Sequence, residues 1–364
     1  MQVRAEVAGL VGLIGGVRVG SALVRGTVHG NMKAVAIVGL GNVGGELVRQ
    51  VLSQRSEVRL VACCNSRCMR LCEEGFQSEP KLAETDQPFS LDVLLAFLGR
   101  QECPVLVDCT ASLSFPSAYL NCLQCGLRVV TANKSIFERP WSEVQALVSS
   151  PHFAYEATCG AGLPIISTLK ALVATGDTVE RVTGLLSGTL AYVFSELESG
   201  TSFSAAVLQA KALGYTEPDP RDDLSGRDVQ RKLLVLARTL GLPVEAAQVS
   251  TQSLVPADWA EASLPDFLRT GLLSMDADLE RKRQSAAAEL SVLRFVAALD
   301  VRTQTASVQL QAVAANSALG QAHGTDNVFH MVTQRYPKGL TISGAGAGPA
   351  VTAMGIFADI LGVR

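Results

Sequence analysis

The sequence predicts an α/β protein, in which a parallel sheet wound with helices is followed by a second α/β domain and the end of the chain returns to the first. Four observations predict it. Short apolar runs alternate with segments of helical period from Ala34 to Ala157. A glycine turn joins the first run to the first amphipathic stretch, and the rhythm changes after Gly162-Leu163-Pro164, where the helical segments lengthen. A chain of 364 residues also favours two domains over one.

Taken in order, residues 1–32 carry Arg4, Arg18 and Arg25 against Glu6, with an apolar patch from Val7 to Val17. They read either as a targeting peptide or as an extension left from an upstream domain; serine is scarce and no clear cleavage site follows. Val35-Ala36-Ile37-Val38 is the first strand, and Val43 to Leu52 has the apolar spacing of a helix. Further strands are expected at Val58 to Cys64, Val105 to Thr110, Leu127 to Thr131 and Phe153 to Ala157, between helices such as Leu91 to Leu98 and Ser114 to Cys125. Beyond Pro164 come a helix at Ile165 to Thr175, a strand at Val179 to Leu186, and helices at Leu190 to Glu198 and Ser204 to Leu213. Val292 to Val301 and the alternating run Ala306 to Val313 are strands of the second domain. Leu340 to Ser343 resembles a strand feeding the turn Gly344 to Gly348 and a helix, expected to rejoin the first domain.

Composition narrows the partners. With 48% hydrophobic residues, 18% charged and a net charge of −3, the chain has no basic footprint for nucleic acid and no polybasic membrane patch. No run of about 18 apolar residues spans a membrane. Small ligands are the expected partners, in the cytoplasm or, if residues 1–32 are a targeting peptide, in a plastid or other organelle. The nine cysteines are odd in number and scattered through apolar runs, which reads as reduced core thiols. Cys122 and Cys125 form a C-x-x-C, but within a short helix and without the Trp or Pro context of a redox pair.

Gly39-Leu40-Gly41-Asn42-Val43-Gly44 is a G-x-G-x-x-G after a strand and before a helix. Its glycines permit a tight turn, close approach of backbone to a pyrophosphate and close helix packing, while the helix N-terminus offers amide donors. In that context it marks a Rossmann-type dinucleotide site. NAD-selective sites place an acid about 20 residues on, at the end of the second strand. Here that strand ends Cys63-Cys64-Asn65-Ser66-Arg67, whose hydroxyl, amide and guanidinium suit a 2′-phosphate; NADP is favoured, with NAD the alternative. On its own, Arg67 reads equally well as a solvated charge.

The segment Gly214 to Lys232 packs five carboxylates, two prolines and one lysine into a loop running onto a helix. Ser225-Gly226-Arg227-Asp228 fits a capping box opening a helix through Val229, Leu233, Leu236 and Leu240. At roughly 100° per residue, Lys232 falls at the edge of that apolar stripe, with Asp228 one turn before it. Burial favours the neutral amine and the carboxylate favours the ammonium, so the sequence leaves the balance open. Such a lysine can deliver a proton to a carbonyl oxygen as hydride reaches the carbon; the plainer reading is a surface ion pair. The two prolines of Glu217-Pro218-Asp219-Pro220 stiffen the acidic loop, which suits a substrate ammonium better than a solvated turn does.

Together these blocks resemble homoserine dehydrogenase. The resemblance runs from Ala34 to the end and rests on Val38 to Gly44, Thr131-Ala132-Asn133-Lys134, Tyr155 to Pro164, Leu186-Ser187-Gly188-Thr189, Gly214 to Lys232, and Gly344 to Gly348 followed by Val351-Thr352-Ala353. It implies NAD(P)H-dependent reduction of L-aspartate 4-semialdehyde to L-homoserine by a homodimer. By the same resemblance Lys232 donates the proton, Asp228 orients it, and Lys134 reaches both cofactor and substrate. Glu217, Asp223 and Thr189 would bind the substrate. The cofactor would lie against Gly39, Gly41, Asn42, Val43, Gly44, Arg67, Thr110, Ser112 and Gly346. A structural monovalent cation such as Na+ or K+ would be held by oxygens at Glu156, Cys159, Ala161 and Leu163. The implied domains are an extension at 1–32, a dinucleotide domain at 33–162 plus 326–364, and a substrate-binding, catalytic and dimerisation domain at 163–325. Ala191 departs from the polar residue frequent in the family, which weakens any contact expected from that turn. Thr27-Val28-His29 faintly resembles the junction of bifunctional aspartokinase/homoserine dehydrogenases, and a short chain of this kind is expected to lack threonine feedback through a C-terminal module. Two rivals stand beside this reading: a non-catalytic NADP-binding sensor or assembly subunit, and a related dehydrogenase for another carbonyl.

Overall fold

The computed structural model describes residues 32–54 and 57–364. The two readings of residues 1–32 therefore fall, but for Met32, outside the described residues.

The first lobe is built on a seven-stranded sheet. Its strands are β1 (Lys33–Val38), β2 (Val58–Cys64), β3 (Cys68–Leu71), β4 (Gln87–Pro88), β5 (Pro104–Asp108), β6 (Arg128–Thr131) and β7 (Phe153–Ala154), in the order β4-β3-β2-β1-β5-β6-β7. β2, β1, β5, β6 and β7 run parallel, while β3 and β4 add an antiparallel edge. The crossovers carry α1 (Asn42–Ser53), α2 (Leu91–Leu98), α3 (Tyr119–Gln124) and α4 (Trp141–Val148). Parallel strands covered on both faces are apolar throughout, and β1 reads so: Val35 and Ile37 face one layer, Ala34, Ala36 and Val38 the other. Between β1 and β5 the winding reverses, and open α/β sheets bind ligands beyond the carboxyl ends of their strands at such a point.

The second lobe opens with α5 (Ile165–Ala174), β8 (Val179–Leu185), α6 (Gly188–Glu198), α7 (Phe203–Ala212), α8 (Pro220–Leu224) and α9 (Arg227–Thr239). It continues through β9 (Ser250–Thr251), α10 (Ala257–Ala260), α11 (Leu264–Asp266), α12 (Leu272–Ala288), β10 (Ser291–Asp300), β11 (Thr305–Ala314), β12 (Asp326–Thr333) and β13 (Leu340–Ala345), and α13 (Pro349–Gly362) ends the chain. Its sheet has the order β13-β12-β8-β10-β11-β9 and is antiparallel except where β9 meets β11. α6, α9 and α12 pack against β10.

Two expectations change here. The strand Phe153 to Ala157 shortens to β7, because Glu156–Thr158 turns into a 3-10 helix. Residues 326–364 do not return to the first domain as one piece: β12 and β13 complete the second sheet, since β12 finds its partner in β8, and α13 alone crosses back to lie along α1. Ala353, Ile356 and Ile360 of α13 are fully buried against the first sheet, each isoleucine contributing about 1.5–3 kcal/mol.

Candidate active site

The glycine loop sits at the carboxyl end of β1. Gly39 has φ +94, the left-handed region that favours glycine, and a Cβ there would meet Thr110 at 2.9 Å. At Gly44 a Cβ would lie 1.9 Å from the Gly39 carbonyl oxygen, so α1 can approach the loop only with glycine in place. α1 starts from Gly41 with neither a side-chain cap nor an acid in its first turn. That leaves its N-terminal amides to an anion such as a pyrophosphate.

Two clefts meet at this end of the molecule. One, of about 390 Å³, is lined by Val43, Thr110, Lys134, Ala161 and Gly348. The second, of about 480 Å³, is lined by Thr189, Tyr215, Asp223 and Thr325. Glu217, Asp228, Lys232 and Gly346 border both. Gly346 is required there because a Cβ would fall 2.1 Å from Asn327 Cγ.

At the junction Asp228 holds two lysines, Lys134 Nζ at 2.9 Å from Oδ1 and Lys232 Nζ at 3.0 Å from Oδ2. This corrects the expected capping box. α9 begins at Gly226 in the left-handed region with φ 73, Ser225 Oγ accepts the N–H of Arg227 at 3.3 Å, and the Asp228 carboxylate turns to the lysines. Burial works against the Asp228 charge, but the two ammonium groups outweigh it and hold the carboxyl well below the usual range. Lys232 also donates to the Leu186 carbonyl at 2.7 Å. An ammonium has three protons, so two are committed and one is left for the cleft. The Leu186 carbonyl was missed from sequence, as a backbone acceptor leaves no trace in residue type.

The backbone of the acidic loop is held by hydrogen bonds. Asp223 Oδ2 accepts the Glu217 N–H at 2.8 Å, and the Thr189 hydroxyl lies 2.9 Å from Asp223 Oδ1 and 2.5 Å from the Tyr215 carbonyl. Burial pushes the Asp223 carboxyl up, against these hydrogen bonds. Asp219 instead caps α8 and pairs with Arg221 at 2.6 Å.

Other expected residues lie further out. Arg67 stands in the β2–β3 turn with an exposed side chain 4.0 Å from Glu84, a pair that holds it weakly. Thr110 reaches the first cleft, whereas Ser112 does not line it and accepts the Phe115 N–H. Of the four expected cation positions only Ala161 borders a cleft, at φ +55. The Glu156 carboxylate accepts the N–H groups of Ile166 and Ser167 at 2.6 and 2.9 Å, the Leu163 carbonyl accepts that of Ile165, and the Cys159 thiol backs onto the Lys232 carbonyl. Each engaged oxygen keeps a second lone pair.

The NAD-binding domain profile of homoserine dehydrogenase matches residues 39–152, and the homoserine dehydrogenase profile matches residues 164–361. The chain is 40% identical over 348 residues to bifunctional aspartokinase/homoserine dehydrogenase 1, chloroplastic, of Zea mays, covering 90% of this chain but only 38% of that protein's length. Over 346 residues it is 37% identical to homoserine dehydrogenase of Saccharomyces cerevisiae, covering 90% of this chain and 96% of that one. A hyperthermophilic archaeal homoserine dehydrogenase in complex with NADPH shares the fold, with a TM-score of 0.70, 20% identity and coverage of 91% and 98% of the two chains. The chain belongs to the homoserine dehydrogenase family.

Proposed function

We propose that this protein is a homoserine dehydrogenase that reduces L-aspartate 4-semialdehyde to L-homoserine with NADPH. The observation that carries the reading is the pair of lysines held by Asp228 where the two clefts meet. The first cleft is the cofactor side: the cramped glycines of residues 39–44 and the open amides of α1 suit a pyrophosphate, and Thr110 and Gly346 suit the nicotinamide end. The bound cofactor supplies the hydride. Arg67, exposed at the end of β2, is the residue we assign to the 2′-phosphate.

In the second cleft Glu217 and Asp223, steadied by Thr189, bind the substrate ammonium. Lys232, tethered to Asp228 and to the Leu186 carbonyl, gives its remaining proton to the aldehyde oxygen as the carbon is reduced. Lys134, held from the other side of Asp228, orients the substrate between the clefts. A monovalent cation held by backbone and side-chain oxygens of residues 156–163 would brace the loop behind α9, and replacing K+ by tetramethylammonium would then lower the melting temperature. The partners in this reading are the semialdehyde and a second copy of the chain, the latter measured by sedimentation. Among the described residues no helix is long and apolar enough to cross a membrane.

The decisive experiment follows NADPH and NADH oxidation with aspartate 4-semialdehyde. Wild type turns over, and Lys232→Ala loses at least about 100-fold in kcat while its NADPH affinity is unchanged. An inactive wild type, or a Lys232→Ala variant of full turnover, refutes the mechanism.

A further inference from the structure

Asp108 ends β5 with no exposed surface, and the mechanism above makes no use of it. A buried carboxylate is costly unless its oxygens are hydrogen-bonded, and here the donors converge on it. Oδ1 accepts the Thr110 N–H at 2.7 Å; Oδ2 accepts the Tyr119 hydroxyl at 2.5 Å and the Asn133 side-chain amide at 3.2 Å. Behind Tyr119, Thr131 Oγ1 lies 2.8 Å from the phenol oxygen and accepts the Asn133 backbone N–H at 2.9 Å. Because the phenol proton is committed to Asp108, Thr131 donates to Tyr119. The chain from Asn133 through Thr131 and Tyr119 thus runs in one direction and ends on the carboxylate.

Asn133 also reaches forward. Its amide donates to the Ser112 carbonyl at 2.8 Å, and its oxygen accepts the Ser135 N–H at 3.0 Å, which caps the 3-10 turn Lys134–Glu138. One buried group therefore grips both the segment after β5 and the residue next to Lys134. Thr110 and Lys134 border the same cleft.

We infer that Asp108 is a positioning residue: with Asn133 as the link, it holds the Thr110–Ser112 segment and Lys134 in one frame, so that the cofactor wall and the substrate lysine stay in register. This rests on the dehydrogenase reading. Asp108→Asn keeps the shape but places an amide where every neighbour already donates. Asn133→Ala cuts the link and leaves the carboxylate with Thr110 and Tyr119. Tyr119→Phe removes the donor behind the carboxylate and leaves the link intact.

The test uses the full chain and measures three quantities on each variant: NADPH Kd by fluorescence without substrate, kcat and KM for the semialdehyde per folded site, and the melting temperature. Asp108→Asn and Asn133→Ala are expected to lower kcat by about 10- to 100-fold and to raise the NADPH Kd. Tyr119→Phe is expected to lower the melting temperature while kcat and Kd stay near wild type. Should all three lose stability alike with kcat and Kd unchanged, or should Tyr119→Phe match Asp108→Asn in kcat, the group is only a core tie and the inference fails. If Asp108→Asn does not fold, Asn133→Ala decides alone. A wild type that binds NADPH without reducing the semialdehyde overturns the proposed reaction instead, and the NADPH Kd values still decide the positioning role.

Discussion

Asp228 faces Lys134 and Lys232 at 2.9 and 3.0 Å, and its charge state follows from them. A carboxyl held below its unfolded value contributes its full stability at pH above the unfolded value, and that contribution is lost progressively as pH falls from there through the folded one. The difference in urea midpoint between wild type and Asp228→Asn should therefore hold constant from neutral pH to about pH 4 and narrow only in stronger acid. A difference that vanishes already at neutral pH would mean the pair is screened out. Arg67 gives a second prediction at this scale. Arg67→Ala should raise the KM for NADPH by about tenfold, the worth of one charge-assisted contact, with little change for NADH; equal effects on both would remove the 2′-phosphate role. Lys232 was legible because lysine at i+4 from aspartate, on the edge of an apolar stripe, is visible in one helix. Asp108 was not singled out, although its signal was there: an acid closing the apolar run Val105-Leu106-Val107. Thr110 is a local partner, but Tyr119 and Asn133 come from two later segments, which only the folded sheet brings to it.

At the scale of elements, α9 is tied to the segment 134–141 of the first lobe along its length. Lys134 meets Asp228, Glu138 meets Arg231 at 2.9 Å, and the fully buried Arg238 donates to the Arg139 carbonyl and to Glu245, whose other oxygen accepts the Trp141 N–H at 2.9 Å. Burial presses the Arg238 guanidinium toward a lower pKa, and Glu245 opposes it. Arg238→Met would strand these acceptors and should cost about 3 kcal/mol in urea unfolding; a loss within error would show that the tie between the lobes is carried elsewhere. The capping-box reading of Ser225 to Asp228 failed at this scale. The motif is local and the residue types fit, but two ammonium groups outbid one backbone N–H for the Asp228 carboxylate.

Across the whole molecule the chain leaves the first lobe after Pro164, completes the second sheet with β12 and β13, and returns only as α13. That helix buries Ala353, Ile356 and Ile360 beside α1, and Asp359 accepts the Glu156 N–H at 2.7 Å. Truncation after Gly348 should abolish NADPH binding and strip the first lobe of its cooperative unfolding, read by fluorescence titration and calorimetry. Retained binding would show that α13 is dispensable. The sequence by itself determined the alternation of strands and helices, the glycine turn, the stiffened acidic loop and the lysine at its end, because these depend on local periodicity and backbone freedom. Only the tertiary structure decided that the last two strands belong to the second sheet, that Asp228 serves two lysines rather than a helix end, and that Asp108 meets Tyr119 and Asn133. Pairing partners and buried charges are settled by which segments meet in space, and that competition is not written in the spacing of any one segment.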